Sequence, residues 1–485
     1  MSHLFEKLKI QTRFLLLRLA RELKKSSHSL PVIRESKSLF AKEIKIPVFV
    51  SSVCTVALIY LMLFIVFGIT WRSMIATAIF VAVNVILFVV QIKNKERAII
   101  RDNDAVVLMS FLFIIAVLIC QLVKEYSSPF VTPVAAFSLM GAILLSQRIG
   151  VLYAVSLSLV VAFLNDVRFD IFLVILCSAI AVITNISSIR KRSDFINVGI
   201  KVSVVNVLII TMFYLFDTYG ISQFEYNLIY GILNGSIVTV LLLVLMPLFE
   251  KLFSRTTNIK LIELSDFSNP LLKRLMLEAH GTYHHSIITA DIAERAANVV
   301  NENVLLARVG AYYHDIGKLN NPQYFIENQT LGHNPHEALT PEMSKLILIS
   351  HVKDGAFLAR KSNIDNEIIS IIQQHHGTTS MYSFYHRALE ENTNVNIENF
   401  RYQGPKPQTK VAAIVMMADS CEAACRSIEE PTAARIKDMV EKIINNKFID
   451  GQFSECPITL KDLELIKNSI ISTVTGIYHA RIEYK

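Results

Sequence analysis

The pattern of apolar and polar positions divides this 485-residue chain into two unlike halves. Eight long apolar runs follow one another at about 47–70, 72–91, 105–123, 129–146, 150–165, 169–189, 196–216 and 227–249. Most approach the roughly 20 residues that carry a helix across a bilayer, with 129–146 and 150–165 the shortest. Any single run is also readable as a buried core helix, but eight in succession predict a polytopic helical membrane domain. After Pro247 the pattern changes abruptly. Glu250–Lys260 is charged, Leu261–Leu277 reads as a short amphipathic connector, and from there to Lys485 apolar residues recur with a helical period. Gly404, Pro405, Lys406 and Pro407 mark a loop, and a last helix is predicted near Leu460–Arg481. The expected fold class is all-α. It has a tail at 1–46, about eight transmembrane helices within 47–249, a linker at 250–277 and a helical domain at 278–485.

Composition sharpens this division. The chain is 52% hydrophobic with a mean hydropathy of +0.44, and its net charge of +7 is best read by position. Residues 1–46 carry eleven Lys/Arg against four Asp/Glu. Leu4–Leu23 reads either as a basic amphipathic helix on an anionic membrane surface or as a solvated tail that fixes orientation. It has no short apolar core followed by a cleavage site, so a cleaved signal peptide is not expected. The second connection (Lys93, Lys95, Arg97, Arg101) and the sixth (Arg190, Lys191, Arg192) are basic, while the fourth has only Arg148. The alternate connections carry Arg72, Lys124 and Arg168 singly, and 217–227 carries none. Positive residues concentrate on the cytoplasmic side, so both termini are expected there. The six cysteines, Cys54, Cys120, Cys177, Cys421, Cys425 and Cys456, have neither zinc-ribbon nor disulfide spacing. A transporter is disfavoured. Asp166, Arg168 and Asp170 sit at a connection, and the span interiors offer little beyond Asn84, Asn206 and Asn234. Pro129, Pro133 and Pro247 are each expected to kink or break a helix.

The chemistry is concentrated in the second half, around Ala311–Lys318. His314 and Asp315 stand side by side there. An imidazole gives one nitrogen to a divalent metal, whereas a carboxylate has two oxygens and can bridge two metals. Lys318 follows His314 by four residues, so on a helix both share a face, and its ammonium is expected to hold a phosphate. Alone, such a pair reads as readily as a surface ion pair. The neighbouring histidines reverse that reading: ten of the thirteen lie between His280 and His386. His284 and His285 fall in the first turns of a helix, and His351 follows the apolar stretch at 346–349. His375 and His376 end the apolar run at 368–372 just before Gly377. Asp419 sits in the otherwise uncharged Val411–Ser420, where an unpaired carboxylate would be costly and a metal would offset the cost.

In order, these residues read H…HD…H…HH…D, which resembles the HD-domain metal-dependent phosphohydrolases. The flanking text resembles one branch of them: GTYHHS (281–286), LLARVGAYYHDIGK (305–318), ISHVKDG (349–355), QQHHGTT (373–379), FRYQGPKPQT (400–409) and MMADSCEAA (416–424). That branch is the seven-transmembrane HD proteins, membrane-bound phosphodiesterases that hydrolyse cyclic di-AMP to pApA. The resemblance covers 260–430 and, more loosely, the spans before it. It implies one metal on His285, His314, Asp315 and Asp419, and a second on His351, His375 and His376 with Asp315 shared as the bridge. His285 is preferred to His284 because the family's ligand directly precedes the serine. Two ions bridged in this way would lower the pKa of a shared water and so generate a hydroxide. Ligands without a thiolate suit Mn or Fe, with Zn, Co and Ni left open.

Substrate contacts are expected from His284, Tyr313, Lys318, Gly377 and Thr378, and His333, His336 and His386 are expected at the rim or exposed. The partners expected are a cyclic dinucleotide, the lipid bilayer and, as an option, a second copy of the chain, with no nucleic-acid polymer. The bacterial cytoplasmic membrane is the expected location. Alternatives are an HD hydrolase of another nucleotide and a non-catalytic nucleotide-binding receptor. Three features depart from the family pattern. Only the turn near Trp71–Ser73 stands where a large extracytoplasmic domain is usual between the first two spans. His280 and Gln403 replace prolines.

Overall fold

The computed structural model describes residues 72, 75–84, 86, 103–186, 189–329, 334–391 and 394–478. The apolar run at 47–70, the basic tail and His333 lie outside these residues. The regular secondary structure of the described residues is helical, with no strand, only an isolated bridge between Ser380 and Arg401.

Among the described residues the first part holds seven apolar helices: α1 (Ile75–Asn84), α2 (Asn103–Tyr126), α3 (Val134–Leu144), α4 (Gln147–Leu164), α5 (Phe169–Ile183), α6 (Asp194–Leu215) and α7 (Ile221–Leu252). Of these, α2, α4, α6 and α7 are long and apolar enough to cross a membrane, and the other three are shorter. Helix α6 shows why the region needs lipid. Phe195, Val198, Val202, Asn206 and Ile210 are buried, while Ile196, Ile200, Val204 and Leu208, spaced four residues apart, are each more than half exposed. That outward stripe is apolar, so water is a poor solvent for it and a bilayer a good one. Helices α6 and α7 meet through Gly199 and Gly235. A Cβ on Gly199 would lie 2.4 Å from the Gly235 carbonyl oxygen, so only glycine permits this approach.

The predicted breaks are realised unevenly. Pro129 and Pro133 do interrupt the backbone, giving a short 3-10 turn before α3. Buried Asn234 of α7 compensates by donating to the freed carbonyls of Phe130 (2.7 Å) and Thr132 (3.2 Å). Pro247, in contrast, lies inside α7, which continues to Leu252.

The predicted connector resolves into two helices, α8 (Asn258–Leu264) and α9 (Pro270–Glu278). Asn269 caps the second and Pro270 opens it. Helix α8 belongs to both halves. Ile259 joins the core of the membrane helices, and Leu261 and Leu264 join a core of the domain that follows. Arg192, just before α6, ties the same joint by pairing with Glu263 (2.7 Å) and Glu250 (2.9 Å).

Eight more helices follow among the described residues: α10 (His280–Val299), α11 (Val304–Tyr313), α12 (Pro341–Lys361), α13 (Asn366–Gln374), α14 (Tyr382–Glu391), α15 (Lys410–Arg426), α16 (Ala433–Ile449) and α17 (Leu460–Tyr478). One apolar core lies among α10, α15, α16 and α17, with Ala293, Ile414, Met417, Ile436 and Ile466 fully buried. The other, around Leu261, Val309, Tyr313 and Ile372, joins α8, α11, α12 and α13. Helices α10, α11, α12, α13 and α15 bring the histidines and acids together where the two cores meet.

Candidate metal centre

The centre is built on the end of α11. His314 caps that helix in right-handed backbone, and Asp315 (φ −109°, ψ 13°) then tightens the chain into a 3-10 turn over Ile316–Asn320. Gly317 allows α12 to cross against this turn, because a Cβ there would sit 1.8 Å from the His351 carbonyl oxygen. The crossing delivers His351 to Asp315. It also corrects the position expected for Lys318, which does not continue the helix of His314. The tighter turn carries it back over Asp315 as an i,i+3 partner at 2.7 Å.

Asp315 is 1% exposed, and its two oxygens face two different groups of imidazoles. Oδ2 lies 3.2 Å from His314 Nε2 and 3.7 Å from His285 Nε2. Oδ1 lies 3.3 Å from His351 Nε2 and 3.6 Å from His375 Nε2. Asp419 also spans the groups, with Oδ1 at 3.1 Å from His285 Nε2 and Oδ2 at 3.7 Å from His376 Nδ1. Donor atoms of Asp315, His351, His375 and His376 lie within 4.8 Å of one another, as do those of His285, His314 and Asp419. His314 Nε2 and Asp315 Oδ1 are buried and make no hydrogen bond. Burying such atoms unpaired is unfavourable, and a cation at each group of imidazoles would satisfy them. Oxygen and imidazole donors in this arrangement fit a divalent metal.

The second nitrogen of each ring determines which lone pair faces inward. His314 Nδ1 (2.7 Å), His375 Nδ1 (2.7 Å) and His351 Nδ1 each donate to the carbonyl three residues earlier, on Ala311, Ile372 and Leu348. Their Nε2 atoms are therefore the ones turned toward the acids. Electrostatics divides the rings further. Burial, reinforced by His375 and Lys318 against the pull of Asp315, keeps His351 neutral and lowers its pKa to about 3. Burial and the His375 and His351 rings likewise hold His376 well below its usual range. His314 goes the other way: burial opposes its charge, but Asp315 and Asp419 outweigh it and raise the pKa to about 10. Burial also opposes the charge of Asp315, yet His314 and Lys318 hold its carboxyl well below the usual range. Acids that draw a proton onto a fully buried imidazole provide a field that favours a cation.

Residues 71–257 match the family described as 7TM receptor with intracellular HD hydrolase, and residues 282–424 match the HD domain. The chain belongs to this membrane-embedded HD-hydrolase family. The first match covers the second to eighth of the apolar runs read from the sequence. Among relatives of this family, the chain is 37% identical over 425 residues to the cyclic-di-AMP phosphodiesterase PgpH of Bacillus subtilis (strain 168), covering 85% of this chain and 59% of that protein. It is 38% identical over 396 residues to PgpH of Listeria monocytogenes serotype 1/2a, covering 81% and 55%. The chain thus spans little more than half the length of these curated relatives. The crystal structure of the L. monocytogenes phosphodiesterase PgpH HD domain in complex with cyclic-di-AMP is 50% identical and matches 43% of this chain and 98% of that one, with a TM-score of 0.43.

Not every residue expected in this HD-hydrolase centre lies in it. His285, His314, Asp315, His351, His375, His376 and Asp419 do. His284 is exposed on the far side of its helix turn. Tyr313 is corrected outright: it is fully buried, and its hydroxyl donates to the Leu264 carbonyl at 2.8 Å, so it faces the connector and no substrate can reach it. Gly377 lines a small cavity behind His376 and Tyr402. Gln452 engages Thr378 through its backbone amide (2.9 Å) and its hydroxyl. His336 is buried with its Nε2 at 2.8 Å from the Tyr324 carbonyl, whereas His386 is exposed. Three participants went unread. Glu327 holds Lys318 at 2.7 Å, Tyr402 stacks on His376 with ring centroids 4.2 Å apart, and Glu422 pairs with His285. Only Glu422 left a signal: a second acid three residues after Asp419 on an otherwise apolar helix.

Proposed function

We propose that the chain is a membrane-anchored, metal-dependent phosphodiesterase that hydrolyses a cyclic dinucleotide, cyclic di-AMP to pApA. The observation that carries this reading is Asp315, a buried carboxylate with one oxygen toward each of two imidazole groups. Two divalent ions, manganese or iron, would be held there. His285, His314 and Asp419 would hold one, His351, His375 and His376 the other, and Asp315 would bridge them. When bound, such a pair supplies Lewis acidity, activating a shared water and offsetting charge on the phosphoryl oxygens. The chain's own residues do the rest. Hydrogen bonds from Nδ1 hold the rings of His314, His351 and His375 with Nε2 inward. Lys318, clamped between Asp315 and Glu327, steadies the bridging carboxylate, so its charge is largely spent before a phosphate arrives.

The cleft beside the centre, about 660 Å³, presents Tyr324, Phe325, Phe384 and Tyr402 along its walls and Arg426 at one side. Aromatic faces suit the bases of a dinucleotide, and a guanidinium suits a second phosphate. The names of the two PgpH relatives point to the same substrate. The division into a basic tail at 1–46, a membrane part at 47–249, a connector at 250–277 and a hydrolase at 278–485 belongs to this reading, as do cytoplasmic termini in a bacterial cytoplasmic membrane. The test incubates the full-length, detergent-purified chain with manganese and, in separate reactions, cyclic di-AMP, cyclic di-GMP, ppGpp and dATP, then separates the products. The expected result is pApA from cyclic di-AMP. Preferential cleavage of dATP or ppGpp, or no cleavage by metal-loaded protein, would overturn the assignment.

A further inference from the structure

Four of the rings at the centre point Nε2 inward, and they are not held alike. His314, His351 and His375 are each backed by a neutral backbone carbonyl three residues earlier. His285 is backed by a carboxylate, because its Nδ1 bonds Glu422 Oε2. Glu422 is itself fully buried. Its other oxygen accepts the Tyr478 hydroxyl at 2.7 Å, and Arg426 Nη1 stands 3.8 Å away. A chain of contacts therefore runs from the last turn of α17, through α15, to a ring on α10 whose Nε2 lies 3.1 Å from Asp419. Asp419 and Glu422 are three residues apart on one helix, so the same face supplies an inward acid and the acid that supports its neighbouring histidine.

We propose that Glu422, held in place by Tyr478, is a positioning residue that makes the His285–His314–Asp419 group the tighter of the two ion sites. The inference rests on the two-ion reading given above. A carboxylate behind an imidazole fixes the tautomer and the ring plane, as a carbonyl does, and adds a full negative charge behind the ligand. The three carbonyl-backed rings lack that charge. Two of them, His351 and His375, belong to the other group, which also contains His376, whose Nδ1 faces the centre. The two groups therefore differ in their support as well as in their ligands. The ion held by His285 is further coupled to the chain's C-terminal helix, which contributes no donor atom to either group.

The test uses the full-length chain in detergent, stripped by chelator and titrated with manganese against a competing fluorescent chelator, with elemental analysis of the end states. The parent is expected to bind in two steps of unequal affinity. Glu422→Gln keeps the volume and a hydrogen-bond acceptor but loses the charge, and it should weaken the tighter step by about 10- to 100-fold while leaving the weaker step unchanged. Tyr478→Phe removes only a hydroxyl and should weaken the same step by less, and it also serves as the probe if Glu422→Gln fails to fold. Circular dichroism of the metal-free proteins checks the fold, and excess manganese should restore occupancy. Unchanged titrations in both variants, or equal weakening of both steps, would overturn the positioning role while leaving the two-ion reading intact. A parent that binds one ion or none would overturn the two-ion reading itself, and this inference with it.

Discussion

Lys318 is the residue whose structural position departs most from its expected role, and Lys318→Met tests that difference. Its ammonium lies 2.7 Å from Asp315 and 2.7 Å from Glu327, and the three side chains are 12%, 2% and 7% exposed. Burial opposes its charge, but the two acids outweigh burial and push its pKa above the usual lysine range. At an effective dielectric constant of about 20, each contact has a Coulomb energy of about 6 kcal/mol, most of it offset by desolvation. Removing one member of a buried pair nets about 3–5 kcal/mol of destabilisation, because the partner is left charged and unpaired. Lys318→Met leaves Glu327 with only the Thr282 hydroxyl and Asp315 with only His314 opposite Oδ2, so that range applies when no metal is present. At roughly 2–4 °C per kcal/mol for a domain of about 200 residues, the chelated variant should melt about 6–20 °C below the parent. Glu327→Gln added to Lys318→Met removes one orphaned charge and should recover a sizeable part of the loss. Manganese should recover more, by compensating Asp315 directly. The assay is a circular-dichroism melt of the full-length chain with chelator and with manganese. Equal melting of Lys318→Met and the parent in chelator, or a double variant less stable than the single one, would refute the clamp.

Two further outcomes follow from the packing. Gly199→Val places a side chain where a Cβ already lies 2.4 Å from the Gly235 carbonyl oxygen, so α6 and α7 should separate and detergent-extracted protein should become sensitive to chymotrypsin at Tyr219, Phe224 or Tyr226; unchanged resistance would contradict the close crossing. Tyr313→Phe removes the 2.8 Å bond to Leu264, which should cost about 1 kcal/mol in a chelated melt and leave the manganese content unchanged; a lost ion would mean that the connector shapes the centre.

The sequence carried the centre because the chemistry is written in residue types that have few other uses. Five histidines and two acids in so few short motifs left little choice, and the separation of apolar runs from the helical second half followed from period alone. What it could not convey was local geometry. The position of Lys318 depended on whether the helix of His314 continued, and the switch to a 3-10 turn at Asp315 was decided by the close crossing of α12 over Gly317. Glu327 lies among short 3-10 turns with no periodicity to place it. Tyr313 read as a neighbour of the ligands because it precedes His314, yet successive residues on a helix point about 100° apart, and this one points to Leu264. The connector appeared as one amphipathic stretch because its apolar positions stay in phase across the break before Asn269.

The central claim is that Asp315 bridges two ions, and turnover of Asp315→Asn tests it most directly. The amide keeps the shape but loses the charge, and only one of its two terminal atoms can accept. Cyclic di-AMP hydrolysis by the full-length variant at saturating manganese should fall by about 100-fold or more, with fewer than two manganese ions bound per chain and an intact helical spectrum. Near-parental turnover with two ions bound would contradict the bridge and the mechanism built on it.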